Sequence, residues 1–400
     1  MKRSINLAIY KLKKAASQAL RAGRQLLKPE DFSQLADYQD GDLVDLVDHR
    51  GQFLGRAYLS QQNKGLGWVF SKQPGQNMNQ AFFTHLFDQA KQKRAALFAD
   101  PLTTAFRVFN GDGDGLGGLS IDYYAGYLLI QWYSTGIYSY RDQILAALAA
   151  VYPQARAVIG KNRFDQAGLA ISEVLVGQEP ASDLLVLENG INYLVNLNEG
   201  WMTGIFLDQR DVRLFIQTEL AAGRRLLNTF SYTGAFGVAA AMGGAITTTN
   251  VDVANRSQAL TESQYQANGL DLGAMRVYTM DVFSYFDYAA KHGESYDIIV
   301  MDPPSFARHK KGTFKATRDY RQLVSEALTI LAPQGYLVCS TNASNYRPED
   351  FLADIKAGAK DQATKISLLQ SFSLPSDFPV PASSPESDYL KVNVFKKERV

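Results

Sequence analysis

The sequence is poor in the residues that build covalent staples and metal cages. It has one cysteine, Cys339, and four histidines, His49, His85, His292 and His309, in 400 residues. A lone thiol excludes internal disulfides and fits a reducing compartment, so a cytoplasmic location is expected. The histidines are scattered and have no cysteine partner at ligand spacing, which leaves no zinc motif and no metal in the expectation. No apolar run reaches the roughly 18 residues of a membrane-spanning helix. A surplus of charge is missing too: 41 Lys plus Arg stand against 40 Asp plus Glu. Nucleic-acid affinity must therefore come from local patches rather than a global field. What the chain does have is core material. Its 46% hydrophobic content over this length suggests two or three domains.

The stretch from Arg224 to Pro304 organises the rest. An apolar run, Arg224 to Asn228, closes on the small-residue turn Phe230-Ser231-Tyr232-Thr233-Gly234-Ala235-Phe236-Gly237. A second apolar run, Ala245 to Asp252, ends in an acid, a third, Met275 to Met280, precedes Asp281, and a fourth stops on Asp302-Pro303-Pro304. Strand, glycine turn, helix, strand, acid is the unit that wraps a nucleoside in a doubly wound sheet. Gly234 and Gly237 are expected to let the backbone turn and approach a ligand. Asp252 lies 18 residues after Gly234, where an acid can accept from both ribose hydroxyls. Asp281 is placed to reach an adenine amino group. The glycines read G-x-x-G, not G-x-G-x-x-G, which favours a mononucleoside over a dinucleotide.

These blocks, Phe230 to Gly234, Val251-Asp252, Asp281-Val282-Phe283 and Asp302 to Phe306, together with Gly204 to Arg210 upstream, resemble the S-adenosylmethionine-dependent methyltransferases of the large-subunit ribosomal RNA cytosine-C5 type. The resemblance covers nearly the whole chain. It implies an α/β fold: a Rossmann-like class I methyltransferase domain with a doubly wound, seven-stranded sheet. A small β-rich PUA-like RNA-binding domain and an α+β central domain would precede it, with boundaries at 1–75, 76–184 and 185–400. It implies S-adenosyl-L-methionine as cofactor and RNA as partner, with a homodimer left open. The expected cofactor contacts are Gln209, Arg210, Asn228, Phe230, Ser231, Tyr232, Thr233, Gly234, Asp252, Val253, Asp281, Val282, Asp302 and Pro303.

The remaining segments fit that frame. Residues 1–28 carry eight Lys or Arg and no acid, a basic edge that either contacts RNA or is a solvated face. Alternating strands with Gly-bearing turns fill 39–72. A helix is expected over 80–99 and another over 139–151. Asp112 and Asp114 sit in a Gly-rich run that lacks the twelfth-position Glu of a calcium loop, so a turn between strands is the better account. Asn189-Gly190 marks a hairpin.

The chemistry is expected at Asp302 and Cys339. Asp302 with Pro303, Pro304 and Ser305 can hold the edge of an extruded base, and Lys310 and Lys311 suit phosphate contacts. Cytosine C5 is a poor nucleophile, and methylating it needs a thiolate that adds at C6. Cys339 is the only thiol. In the family resemblance the catalytic cysteine aligns with Thr341, two residues further on the same strand face, a shift of roughly 6–7 Å. Ser340-Thr341-Asn342 also resembles guanine-N7 rRNA methyltransferases, which need no cysteine because N7 is already nucleophilic. A third reading, from another class, is an RNA-binding assembly protein with a residual cofactor site.

Overall fold

The structure, a computed structural model, describes residues 8–62, 65–164, 168–309, 312–384 and 387–399; of 307–309 and 312 only the backbone is described. The chain divides into two compact units. The first comprises 1–186, 196–203 and 376–385, and the second 187–195, 204–375 and 386–400.

The first unit contains two five-stranded sheets. One is built from the short strands expected near 39–72, joined by Ala8–Lys11 and Leu26–Leu27. Its core is Leu12, Leu20, Leu46, Ala57 and Leu59, all fully buried. Basic residues of the N-terminal segment are partly spent on internal pairs: Arg21 binds Asp48 at 2.5 Å and Arg24 binds Asp31 at 2.7 Å. The second sheet orders Ser172–Gly177, Ala157–Asn162, Tyr127–Trp132, Leu119–Tyr124 and Ala105–Asn110. Helices Gln80–Lys93 and Arg141–Val151 accompany it; the expected helix over 80–99 is broken at Arg94, with a short second piece at Ala95–Ala99. Arg94 stands at that break and ties it to the Gly-rich run. Its guanidinium donates to both carboxylate oxygens of Asp114, at 2.8 and 2.6 Å, and to the carbonyl oxygens of Ala90 and Asp377. Asp114 is thus a structural anion, in line with a turn rather than a calcium loop.

The second unit begins in the hairpin Leu184–Glu188 and Ile191–Val195. Asn189 and Gly190 both take positive φ, 51° and 80°, as a type I′ turn requires. The central sheet follows: β1 (Arg225–Thr229), α1 (Ala235–Met242), β2 (Thr247–Asp252), α2 (Ser257–Gln266), β3 (Met275–Thr279), α3 (Val282–Lys291), β4 (Tyr296–Met301), α4 (Ala316–Ile330), β5 (Leu331–Thr341), α5 (Pro348–Asp361), β6 (Ile366–Phe372) and β7 (Lys391–Lys397). The spatial order is β3-β2-β1-β4-β5-β7-β6. Strands β1 to β5 run parallel, and β7 lies antiparallel to both β5 and β6.

The strands are apolar on both faces because both are covered. Leu227, Ile299, Met301, Leu337 and Cys339 enter one core with Tyr285, Tyr320, Leu323 and Phe351 from α3, α4 and α5. Their sequence neighbours Leu226, Ile298, Val300 and Val338 enter the opposite core with Val212, Ile216, Phe236 and Ala240. This strict alternation decides which strand-end residues can meet.

Candidate functional site

The site is built at the carboxyl ends of β1, β2, β4 and β5. After β1 the chain turns through Phe230 and Tyr232, both left-handed, at φ 54° and 52°. Each costs roughly 1–3 kcal/mol for a residue with a side chain, strain of the kind that persists where surrounding structure fixes a functional loop. Three bonds do so. Ser231 N–H donates to the Val251 carbonyl at 3.0 Å, Gly234 N–H to Ser231 at 2.8 Å, and Tyr232 N–H to Asp252 Oδ2 at 2.9 Å. Gly234, at φ 79°, then caps α1. Thr233 Oγ1 donates to the Gly204 carbonyl at 2.7 Å, tying the 204–213 segment to the turn.

Asp252 ends β2 as the sequence suggested. Its second oxygen accepts from Ala254 N–H at 2.9 Å, so two backbone amides orient the carboxylate and leave lone pairs for a ligand. Val253 beside it is 61% exposed, an apolar surface on the open side. Asp281 caps α3, accepting from the backbone N–H and the hydroxyl of Ser284 at 3.0 and 3.1 Å.

Asp302 follows β4. Ser340 Oγ donates to its Oδ1 at 2.7 Å, and Gln209 Nε2 donates to its Oδ2 at 3.1 Å and to Ser340 Oγ at 2.8 Å. Although the residue as a whole is half-buried, these partners enclose its carboxylate. Desolvation pushes its pKa up to about 6; the Ser340 hydroxyl and Gln209 amide pull it down, and the nearby Asp208 adds to the rise. Asp208 itself accepts from Tyr389 Oη at 2.7 Å.

Several expected contacts are placed differently. Cys339 lies in the core, wholly buried among α4 and α5 side chains, with burial pushing its thiol pKa far up. Strand alternation is the reason: Cys339 and Thr341 face one layer, and Ser340 between them faces Asp302. Asn228 is buried and donates to Asn250 Oδ1 at 3.0 Å, so its side chain serves the β1–β2 pair. Val282 packs into the core, leaving only its main-chain N–H at the first turn of α3. Phe230 packs beside Phe314 at 6.2 Å. Gly237 serves packing rather than ligand approach: a Cβ there would lie 2.5 Å from Asn250 Oδ1 and 2.7 Å from Tyr265 Oη. Arg210 is 5% exposed and Pro303 is buried; Pro304 is exposed, and Ser305 Oγ donates to Asn342 Oδ1 at 3.0 Å. Lys310 and Lys311 lie outside the described residues. Ser340 was missed by sequence reasoning. Its signal was the parity of the strand, two residues after Val338 on the face of Val300 and Asp302.

The donor set fits S-adenosylmethionine. Among the buried polar atoms, Ser231 Oγ in the strained turn and Gln209 Oε1 beside Asp302 have no hydrogen-bond partner among the described residues. Buried polar groups left open at a site call for a ligand or water to complete them. The carboxylates of Asp252, Asp281 and Asp302 at the strand ends have the chemistry that a nucleoside with a cationic sulfur calls for. Because ionised Asp302 is the form a cation stabilises, affinity for the sulfonium cofactor is expected to rise with pH through about 6. Calorimetry at pH 5 and 7.5 should give roughly tenfold weaker binding at pH 5, and Asp302→Asn should flatten that slope.

Among the described residues, no group of three or more His, Cys, Asp or Glu could hold a metal ion, and no helix is long and apolar enough to cross a membrane.

Comparison with known proteins gives the family. Residues 11–72 match a PUA-like domain, and 114–395 match the S-adenosylmethionine-dependent methyltransferase family. The chain is 46% identical over 98% of its length to the whole of "Putative ribosomal RNA large subunit methyltransferase YwbD" of Bacillus subtilis. It is 33% identical to "Ribosomal RNA large subunit methyltransferase I" of Cronobacter sakazakii, over 88% of this chain and 89% of that one. The crystal structure of SMU.776, "a putative methyltransferase complexed with SAH", superposes with a TM-score of 0.92 at 44% identity, covering 98% of this chain and all of the other. The chain belongs to the S-adenosylmethionine-dependent methyltransferase family and carries an N-terminal PUA-like domain.

Proposed function

We propose that this enzyme methylates a base of large-subunit ribosomal RNA in the cytoplasm. The observation that carries the reading is the Gln209–Asp302–Ser340 cluster at the strand mouth, joined to full-length kinship with proteins named for large-subunit rRNA methylation. S-adenosylmethionine supplies the electrophilic methyl group. The chain's own residues orient: Asp252 and the 230–234 turn are assigned to the nucleoside, Asp302 and Pro303 to the cofactor at the strand mouth, and Asp302 with Pro304 and Ser305 to the target base. Lys310 and Lys311 are assigned to phosphates. The PUA-like domain, within 1–75, is assigned to RNA delivery, residues 76–184 form the central domain and 185–400 the methyltransferase domain.

Cytosine C5, the atom implied by the family resemblance, requires Cys339 as nucleophile, because the chain has no other thiol. A second reading is favoured by the burial of that thiol. A base atom with its own lone pair, such as guanine N7, needs positioning alone. Nucleoside mass spectrometry of ribosomal RNA treated with the enzyme and methyl-labelled cofactor separates the two. Label in 5-methylcytidine, abolished in Cys339→Ala, supports the C5 route. Label in a methylguanosine, undiminished in Cys339→Ala, supports the cysteine-free route. No label in any nucleoside would sink both. Independently, a thiol reagent should leave native Cys339 unmodified and titrate one thiol after denaturation.

A further inference from the structure

The loop Asn196–Thr203 in the first unit is held far more firmly than a connector requires. Asn196 N–H donates to the Thr203 carbonyl at 2.9 Å, closing its ends. The Asn196 carboxamide oxygen accepts from the backbone N–H groups of Asn198 and Glu199 at 2.9 and 3.1 Å. Asn198 Nδ2 donates to the Pro180 carbonyl at 2.9 Å. Beneath the tip, Lys161 is 0% exposed and its ammonium donates to the carbonyls of Glu199 and Gly200 at 3.0 and 2.7 Å. Burying an ammonium costs several kcal/mol, and here its effect is to fix a loop tip.

That tip shows apolar surface to solvent. Trp201 is 38% exposed and Met202 39%. Arg163 lies against the tryptophan, its guanidinium carbon 5.0 Å from the ring centroid. Arg163 is itself fixed: Nη2 donates to the Trp201 carbonyl at 2.8 Å and Nε to Gln131 Oε1 at 3.0 Å. An indole on a hydrogen-bonded loop and a planar cation beside it form the kind of surface on which unpaired bases stack. Glu199, exposed two residues away, argues against a phosphate-tracking groove. Two apolar side chains are also far short of the roughly 800 Å² that a stable protein partner covers.

We propose that Trp201, braced by Arg163, is a stacking platform for an unpaired base of the RNA substrate, formed by residues that belong neither to the PUA-like match over 11–72 nor to the strand-end cluster. The proposal rests on the RNA reading above. Stacking is sequence-tolerant, so the platform contributes affinity and registration rather than identity.

The test uses full-length protein and a single-stranded fragment of large-subunit ribosomal RNA, followed by tryptophan fluorescence. The other two tryptophans, Trp68 and Trp132, are 7% and 0% exposed, so Trp201 is the fluorophore open to contact. RNA should quench the wild type and leave Trp201→Ala little changed. Trp201→Ala should bind RNA about tenfold more weakly, and Trp201→Phe should recover most of the loss, whereas Trp201→Leu should not. Cofactor affinity should stay constant in all three variants, confirming that each is folded. Equal RNA affinity in wild type and Trp201→Ala, without quenching, overturns the platform while leaving the RNA reading intact. Quenching only by ribosomal protein, not by RNA, also overturns it. No RNA binding by the wild type removes the RNA reading and the platform with it.

Discussion

Replacing Asp252 by alanine should abolish useful cofactor binding. The carboxylate does two jobs at once. It accepts from Tyr232 N–H and Ala254 N–H, and so holds a turn that contains two left-handed non-glycine residues. In the proposed site its remaining lone pairs accept from the ribose hydroxyls. Hydrogen bonds to a charged partner contribute about 1.5–3 kcal/mol each, so losing two ligand bonds should weaken the cofactor by on the order of 10²–10⁴-fold. Release of the strained turn adds to that loss. Calorimetry with S-adenosylhomocysteine reads the effect directly. Asp252→Asn, which keeps one acceptor oxygen, should fall between wild type and alanine. A Kd within threefold of wild type for Asp252→Ala would remove Asp252 from the cofactor site.

Arg213→Met should be the most damaging change to the stability of the second unit. Arg213 is 2% exposed, and its guanidinium donates to both oxygens of Glu188 at 2.6 and 2.7 Å and to the Phe206 carbonyl at 2.7 Å. It also lies over the rings of Tyr193 and Phe236 at 5.9 and 5.7 Å. Removing one partner of such a pair strands the other charge in the interior, at about 3–5 kcal/mol. A drop in Tm of roughly 10 °C is expected for a unit of this size. The pair Glu188→Met with Arg213→Met should regain much of the loss, since neither charge is then left alone. If the single variant melts like wild type, the pair is not a structural anchor. Because Phe206 stands three residues before Gln209, the single variant should also loosen the segment that reaches Asp302.

Much of this arrangement was legible in the sequence, and its gaps have one physical origin. Acids at strand ends are visible because an apolar run stops at them; Asp252, Asp281 and Asp302 were found that way. The Asn189-Gly190 turn announced itself by the only residues that take two positive φ angles cheaply. What local sequence does not encode is which of the two covered faces a strand residue serves. Both faces of β5 read as apolar, so Cys339 and Ser340 look equally able to reach the mouth. Only the register with β4, which pairs Cys339 with Met301, assigns Ser340 to Asp302. The same gap placed Asn228 and Val282 among the ligand contacts, when their side chains are committed to the sheet and to the core. Gly237 was likewise read as a ligand-facing glycine because its partners, Asn250 and Tyr265, lie 13 and 28 residues downstream.

The last strand of the chain is not at the edge of its sheet. β7 threads between β5 and β6, bringing Leu390, Val392, Val394 and Phe395 into the two cores. During synthesis the parallel strands and their helices emerge first, and domains generally form from the N-terminal side. This sheet cannot close in that order, because β6 has no neighbour until residues 391–397 leave the ribosome. The nascent chain therefore carries an unfinished sheet until residues 391–397 have emerged. Any truncation between Phe372 and Lys391 leaves β6 without a neighbour and uncovers the edge of β5, so a shortened product loses two strands of the sheet rather than merely its tail.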